Sequence, residues 1–158
     1  MAPKLYGDSR SPCVRAVLLA AEAMKIKLEY VAIDVVKKEH LTDEYLKVST
    51  LFGFFLYKRQ PNFPQDLAEA LDKAYGFLET FLTESKYVAG DEMTIADFSL
   101  WTSTSNSNSF VPIDAAKYPK VTAWSKKMGE LPYSHLNFEG YQEFKKLLEI
   151  LKAQLKAQ

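Results

Sequence analysis

The chain has 158 residues, 47% of them hydrophobic, and its 20 acidic and 20 basic residues cancel. This size suits one domain or two small ones with a buried core. The balanced charge gives no net positive charge that would favour binding to nucleic acid or to an anionic membrane surface. The lone Cys13 excludes a disulfide framework, no Cys/His cluster suggests a metal, and the lack of a long apolar run or signal peptide favours a cytoplasmic protein.

The N-terminal part is predicted to form a β-α-β-α unit. Residues 4–7 are typical of a strand, residues 11–24 of a helix, and residues 27–36 of a second strand. Strand, helix and strand in so short a span imply a parallel pair joined by a crossover helix. A short helix is predicted to begin within "EHLTDEYLKV". The residues predicted to share the apolar face of the first helix are Val14, Val17, Leu18 and Ala21.

Ser11 lies at the N-terminus of the first predicted helix, directly before Pro12. One interpretation is that its hydroxyl caps the helix by accepting from a free backbone N–H, next to a proline that has no N–H to satisfy. A strand, a tight turn and a helix N-terminus also form an anion-binding site, so the alternative is that the hydroxyl donates to a thiolate or an oxyanion. Local sequence favours the cap, because capping serines outnumber catalytic ones.

From residue 49 onward the pattern is helical, with no convincing strand. Thr94 and Asp97 have the spacing of an N-cap and the third helical residue, and Met93 and Phe98 flank them where a hydrophobic staple would close. The run "TSTSNSNS" that follows is predicted to stay helical despite its loop-like composition. Apolar residues at helical spacing mark the other helices: Leu67, Leu71, Tyr75, Leu78 and Leu82; Val121, Trp124 and Met128; Phe138, Tyr141, Phe144, Leu148 and Leu151.

The segments "LYGDSRSPCVRAVLL", "KKEHLTDEYLKV", "AYGFLETFL", "YVAGDEMTIADFSL", "KYPKVTAW" and "LPY" keep the order that they have in one family. In them the chain resembles an insect glutathione S-transferase of the delta/epsilon group, nearer epsilon. The resemblance implies an α/β part followed by an all-α part. Residues 1–48 would be a truncated thioredoxin-like glutathione-binding domain, and residues 49–158 the all-helical C-terminal domain. The implied activity is detoxification, by conjugating glutathione to small hydrophobic electrophiles without a metal.

The same resemblance assigns roles to individual residues. Ser11 falls on the catalytic serine, whose hydroxyl stabilises the glutathione thiolate. His40 matches a position that contacts the glycine end of glutathione, although an exposed histidine that opens a short helix is the alternative. Phe52, Phe55 and Phe110 are candidates for lining the electrophile site, with core packing as the alternative.

Two further residues are expected to have no part in this site. Cys13 is predicted to be a small buried side chain rather than a reactive thiol. His135 is expected at the surface.

The chain departs from the family pattern after Val48. There the family continues with an Asn-Pro-Gln-His stretch, a strand carrying a cis-proline, a hairpin, and an acidic-Ser pair that opens the next helix. Here Val48 runs directly through Ser49 and Thr50 into "LFGFFLYKRQPNFPQ". The missing groups would hold glutathione and part of the dimer interface, so impaired activity and a weakened homodimer are expected. The alternative function is a non-catalytic ligand-binding or interaction protein derived from a transferase.

Overall fold

The computed structural model describes residues 2–37, 39 and 65–156. Apart from its first residue, Glu39, the predicted short helix in "EHLTDEYLKV" lies outside these ranges, as does the predicted domain boundary at residues 48 and 49. Within the described part of the chain, no helix combines the length and apolar character needed to cross a bilayer. The elements in chain order are β1 (Lys4–Gly7), α1 (Pro12–Ala23), β2 (Glu29–Ala32), α2 (Gln65–Glu84), α3 (Ile95–Ser107), α4 (Pro119–Gly129) and α5 (His135–Lys156).

The two strands pair in parallel, with Lys4 opposite Glu29 and Gly7 opposite Ala32, which confirms the predicted β-α-β unit. Strand β2 is shorter than the predicted span of residues 27–36. It ends because the Asp34 carboxylate accepts from the backbone N–H groups of Val36 and Lys37, at 2.9 and 3.3 Å. Such a local side-chain bond turns the backbone away from a strand.

Helix α1 is packed on two sides, so its buried residues differ in part from the predicted apolar face. Val14 packs on β1 so closely that a Cβ at Gly7 would lie 2.4 Å from Val14 Cγ2. On the other side Leu19 joins the core of the helical part, and Arg15 is fully buried. Val17, predicted on the apolar face, is 43% exposed, because it lies on the side of α1 away from Arg15 and Leu19.

The hydrophobic core is formed mainly by the helices after residue 64. Tyr75, Leu78 and Leu82 are buried as predicted, whereas Leu67 at the start of α2 is 50% exposed. Two edge-to-face ring pairs, Tyr75 with Tyr118 and Trp101 with Phe138, have centroids 5.9 and 5.7 Å apart. The buried core cluster consists of Leu19, Tyr75, Leu78, Leu82, Phe98, Trp101, Tyr118, Val121, Trp124 and Met128.

Helix α3 begins with the predicted capping box. Thr94 Oγ1 accepts from Ala96 N at 3.2 Å, and the Asp97 carboxylate accepts from Thr94 N at 2.9 Å. Asp97 is fully buried and also accepts from Val88 N and from Trp124 Nε1. One carboxylate therefore joins the start of α3, the preceding loop and α4.

The polar run "TSTSNSNS" continues α3 as far as Ser107, as predicted. Its hydroxyls donate back to carbonyls in the preceding turn, for example Ser103 to Ser99 O at 2.8 Å and Ser105 to Trp101 O at 2.7 Å. A hydroxyl satisfied within its own helix leaves a small side chain that allows neighbouring helices to approach closely. Both α1 and α5 pack against this helix.

Candidate functional site

Ser11 lies in the turn between β1 and α1, at the N-cap position of α1. It is only 4% exposed, and its backbone N–H donates to Asp8 O at 2.9 Å. Its side chain makes no capping bond. Within the part of the chain that the structure describes, Ser11 Oγ is the buried side-chain polar atom without a hydrogen-bond partner. The capping interpretation is therefore wrong, and the hydroxyl is not engaged by the fold.

This geometry predicts opposite effects for two N-cap substitutions. Thr94→Ala removes a formed cap and is expected to cost about 1 kcal/mol of unfolding free energy. Ser11→Ala removes a buried hydroxyl that bonds to nothing, so stability is expected to stay the same or rise. Urea denaturation of the two variants beside the parent chain measures both effects. A loss of about 1 kcal/mol or more in Ser11→Ala would show that Ser11 is a structural cap.

An ion cluster orders the chain on the strand side of Ser11. Arg10 bonds to both carboxylate oxygens of Asp8, and its Nη2 also donates to Asp34 Oδ1 at 2.7 Å. Asp8 in addition accepts from Val35 N at 3.2 Å. The bond from Arg10 lowers the pKa of Asp34, and the bond to Asp8 is the main cause that raises the pKa of Arg10. Asp34 and Arg10 are therefore charged at neutral pH, and the bonds of Arg10 to Asp8 and Asp34 join the carboxyl ends of β1 and β2.

Arg15 is a residue of this region that sequence reasoning missed. Its guanidinium is fully buried and donates five hydrogen bonds, to Ser9 O, Arg10 O, Thr102 O, Asn106 Oδ1 and Asn137 Oδ1. Burial lowers the pKa of Arg15 to about 10, which still leaves it charged at neutral pH. The available signals were an arginine inside an apolar helical segment and a polar run inside another helix.

The other predicted site residues are distributed as follows. His40, Phe52 and Phe55 lie outside the described residues. Phe110 follows α3 and is half-buried, and its ring packs edge-to-face on Phe144 of α5 with centroids 6.0 Å apart. Part of the Phe110 ring is therefore used in packing against α5. That Phe110 lines an electrophile site stays a prediction.

Of the two predictions about side chains outside the site, one is wrong and one is confirmed. Cys13 is exposed, so the prediction of a small buried thiol is wrong. His135 opens α5 and is exposed, as expected.

Metal-ligating groups do not gather in the described ranges. No set of three or more His, Cys, Asp or Glu side chains there has the placement to hold a metal ion. The described site contains one free hydroxyl at a helix N-terminus, flanked by the Arg10 cluster and by Arg15.

Comparison with known proteins shows which family the chain belongs to. The family profile described as "Glutathione S-transferase, C-terminal domain" matches residues 47–133, more than half of the chain. The chain belongs to the glutathione S-transferase family. Its fold is the expected one, a shortened thioredoxin-like part followed by the all-helical transferase domain.

Two relatives among curated proteins come from insects. Glutathione S-transferase D7 of Drosophila melanogaster is 36% identical over 118 residues, which are 69% of this chain and 51% of the relative. The chain thus spans about half the length of this relative. Glutathione S-transferase 1 of Manduca sexta is 26% identical over 195 positions, covering 83% of this chain and 89% of the relative.

Solved structures point to the same group. An epsilon-class glutathione S-transferase from the housefly, Musca domestica, superposes with a TM-score of 0.80 at 29% identity, covering 98% of this chain and 97% of that one. A Drosophila mojavensis glutathione transferase homologue with bound glutathione gives 0.82 at 29% identity, covering 99% and 97%. Together with the Drosophila D7 relative, these structures make the chain similar to insect delta/epsilon glutathione S-transferases.

Proposed function

We propose that the chain is a serine-type glutathione S-transferase of the insect delta/epsilon kind, which joins glutathione to small hydrophobic electrophiles in detoxification. The observation that carries the proposal is the buried, unpartnered hydroxyl of Ser11 at the N-terminus of α1. Family membership adds glutathione as the co-substrate, since a similar structure contains it. A cytoplasmic location belongs to the same proposal.

The proposed role of Ser11 is to stabilise the thiolate form of glutathione. Glutathione, when bound, supplies a sulfur that is nucleophilic only as a thiolate. Ser11 Oγ donates a hydrogen bond to that sulfur, and the positive end of the α1 dipole favours the same charge. Both effects lower the pKa of the thiol, so more of it is ionised at neutral pH. An Oγ already bound within the fold would first have to break that bond, and here it does not.

We propose further that glutathione is held weakly. The strand with the cis-proline and the acidic-Ser pair of the family pattern have no counterpart between Val48 and Thr50. The 195-position match to the Manduca relative is longer than this 158-residue chain, which supports the absence of an internal segment. The boundary between residues 1–48 and 49–158, His40 at the glycine end, and Phe52, Phe55 and Phe110 at the electrophile remain parts of this proposal.

A conjugation assay tests the proposed function. An aryl halide is incubated with the chain and glutathione in large excess, beside Ser11→Ala and the control Ser103→Ala, which removes a hydroxyl bonded within α3. We expect Ser11→Ala to lower the enzyme-dependent rate by roughly tenfold or more, because the thiolate loses its donor. Ser103→Ala should keep the parent rate. An unchanged rate in Ser11→Ala would overturn the role of this serine.

The same assay separates the alternative function. If the parent chain neither conjugates the electrophile nor is retained by immobilised glutathione, the transferase proposal fails. A non-catalytic ligand-binding or interaction protein would then be favoured. Retention without conjugation would also favour that alternative.

Self-association is expected to be weak. Helix α2 exposes an apolar stripe at three- and four-residue spacing, formed by Leu67, Ala70, Ala74, Phe77 and Phe81. Such a stripe is suited to a helix of a second copy. Because the family interface also draws on the hairpin that this chain lacks, we predict a dimer that dissociates on dilution. Analytical ultracentrifugation across a concentration series measures this, and a tight dimer at every concentration would contradict it.

A further inference from the structure

We propose that Arg15 is the positioning residue of Ser11, because its buried guanidinium ties the turn that carries the serine to helices α3 and α5. The functional meaning of this tie rests on the proposed role of Ser11. The tie itself is a feature of the fold and can be tested separately.

The first part of the tie acts on the turn. Arg15 Nη1 donates to Ser9 O at 3.0 Å and to Arg10 O at 2.8 Å. Arg10 O belongs to the peptide group whose nitrogen is that of Ser11, and this nitrogen donates to Asp8 O. The peptide before Ser11 is thus held at its carbonyl and at its N–H. Since that peptide sets where the Ser11 side chain starts, Arg15 fixes the position of the hydroxyl.

The second part acts on the helices. Arg15 Nε donates to Asn137 Oδ1 of α5 at 2.8 Å, and Nη2 donates to Thr102 O and Asn106 Oδ1 of α3 at 3.3 and 2.6 Å. All five N–H donors of the guanidinium are used, and each acceptor is a neutral amide oxygen. A lysine offers three donors on one nitrogen and cannot span acceptors on three sides.

The surroundings of Arg15 are shaped to receive it. Asn106 Nδ2 donates to the same Arg10 O at 3.3 Å, and Asn137 Nδ2 donates to Ser105 Oγ at 3.0 Å. Gly140 of α5 lies against the turn, where an added Cβ would be 2.1 Å from Ser9 O. The polar end of α3 and a glycine of α5 therefore form the surface against which the turn packs. The helical part of the chain thereby holds a serine that belongs to the β-α-β part.

Amide hydrogen exchange measured by NMR on the whole chain tests the tie. We compare the Ser11 N–H with core amides of α4 in Arg15→Lys, and use Thr94→Ala as a control that lowers global stability far from the turn. In Arg15→Lys the Ser11 amide should exchange roughly tenfold faster than any change in the core amides explains. In Thr94→Ala the two should change in proportion. Proportional change in Arg15→Lys would overturn the proposal.

A second variant covers the case in which Arg15→Lys does not fold. Asn106→Ala keeps the arginine and removes one of its acceptors together with the bond to Arg10 O. We expect the Ser11 amide of Asn106→Ala to exchange severalfold faster while the α4 amides stay near their parent rates. Unchanged exchange at Ser11 in a folded Asn106→Ala chain would count against the tie.

A double-variant cycle separates positioning from general structural damage. If Arg15 acts through Ser11, Arg15→Lys lowers kcat in the parent chain but has little further effect in the Ser11→Ala background. Equal losses in both backgrounds would show that Arg15 does not act through this hydroxyl. A chain without conjugating activity would refute the proposed function, and the exchange experiment would still decide whether the tie exists.

Discussion

Asp97→Ala is expected to lower the unfolding free energy by about 3–6 kcal/mol, a large part of what holds a domain of this size together. The Asp97 side chain is fully buried and accepts from Val88 N at 3.0 Å, Thr94 N at 2.9 Å and Trp124 Nε1 at 2.9 Å. Alanine leaves these three donors without their acceptor. Each unpaired buried donor costs about 1–3 kcal/mol. Because the two backbone donors are only partly buried, we expect the lower half of the roughly 3–9 kcal/mol that three such donors would give.

Urea denaturation followed by tryptophan fluorescence measures this loss, because Trp124 is one of the partners. Asp97→Asn is the matched comparison, since it keeps the shape of the side chain and one carbonyl oxygen. We expect it to fall between the parent and Asp97→Ala. If Asp97→Ala lies within about 1 kcal/mol of the parent, the carboxylate does not hold the loop, α3 and α4 together as the structure indicates.

Glutathione is expected to bind at least roughly a hundredfold more weakly to this chain than to the Drosophila mojavensis homologue that was solved with it. In the family pattern, the backbone beside the cis-proline and the acidic-Ser pair make charge-assisted or backbone hydrogen bonds to glutathione. Losing two or three of these contacts, at about 1.5–3 kcal/mol each, lowers affinity by orders of magnitude. Ser11 can stabilise a thiolate only when the sulfur is held within hydrogen-bond distance.

Isothermal titration of both proteins with glutathione measures the difference directly. Thermal melts give an independent reading, since stabilisation follows RT ln(1 + [L]/Kd) and should be close to zero for this chain at millimolar glutathione. A dissociation constant within tenfold of that of the homologue would show that the residual site is sufficient. It would also remove the reason to expect impaired conjugation.

The sequence by itself determined the features that depend on neighbours a few residues apart. The strand at residues 4–7, the parallel β-α-β unit and the later helices follow from apolar spacing. The capping box of Thr94 and Asp97 was predictable because both partners lie within one helical turn. The family resemblance of separate segments likewise needed no coordinates.

The tertiary structure decided which faces of these elements are covered. Val17 and Leu67 share the spacing of their buried neighbours, yet both are exposed, because spacing fixes a face of a helix but not what packs on it. Cys13 was predicted to be buried because a free cysteine is commonly a small core side chain, and it is exposed. In each case the missing information was the position of another element.

The candidate site depends most on contacts that are distant in sequence. Whether Ser11 caps its helix or keeps a free hydroxyl is decided by the orientation of one side chain within a turn that other elements hold. Arg15 finds acceptors 87 residues away at Thr102 and 122 residues away at Asn137. Within the polar run of α3, Asn106 accepts from the buried guanidinium of Arg15 and Ser105 accepts from Asn137, and no local pattern indicates either contact. Local patterns encode elements and caps, whereas the partners of a buried charge are fixed only when the helices pack.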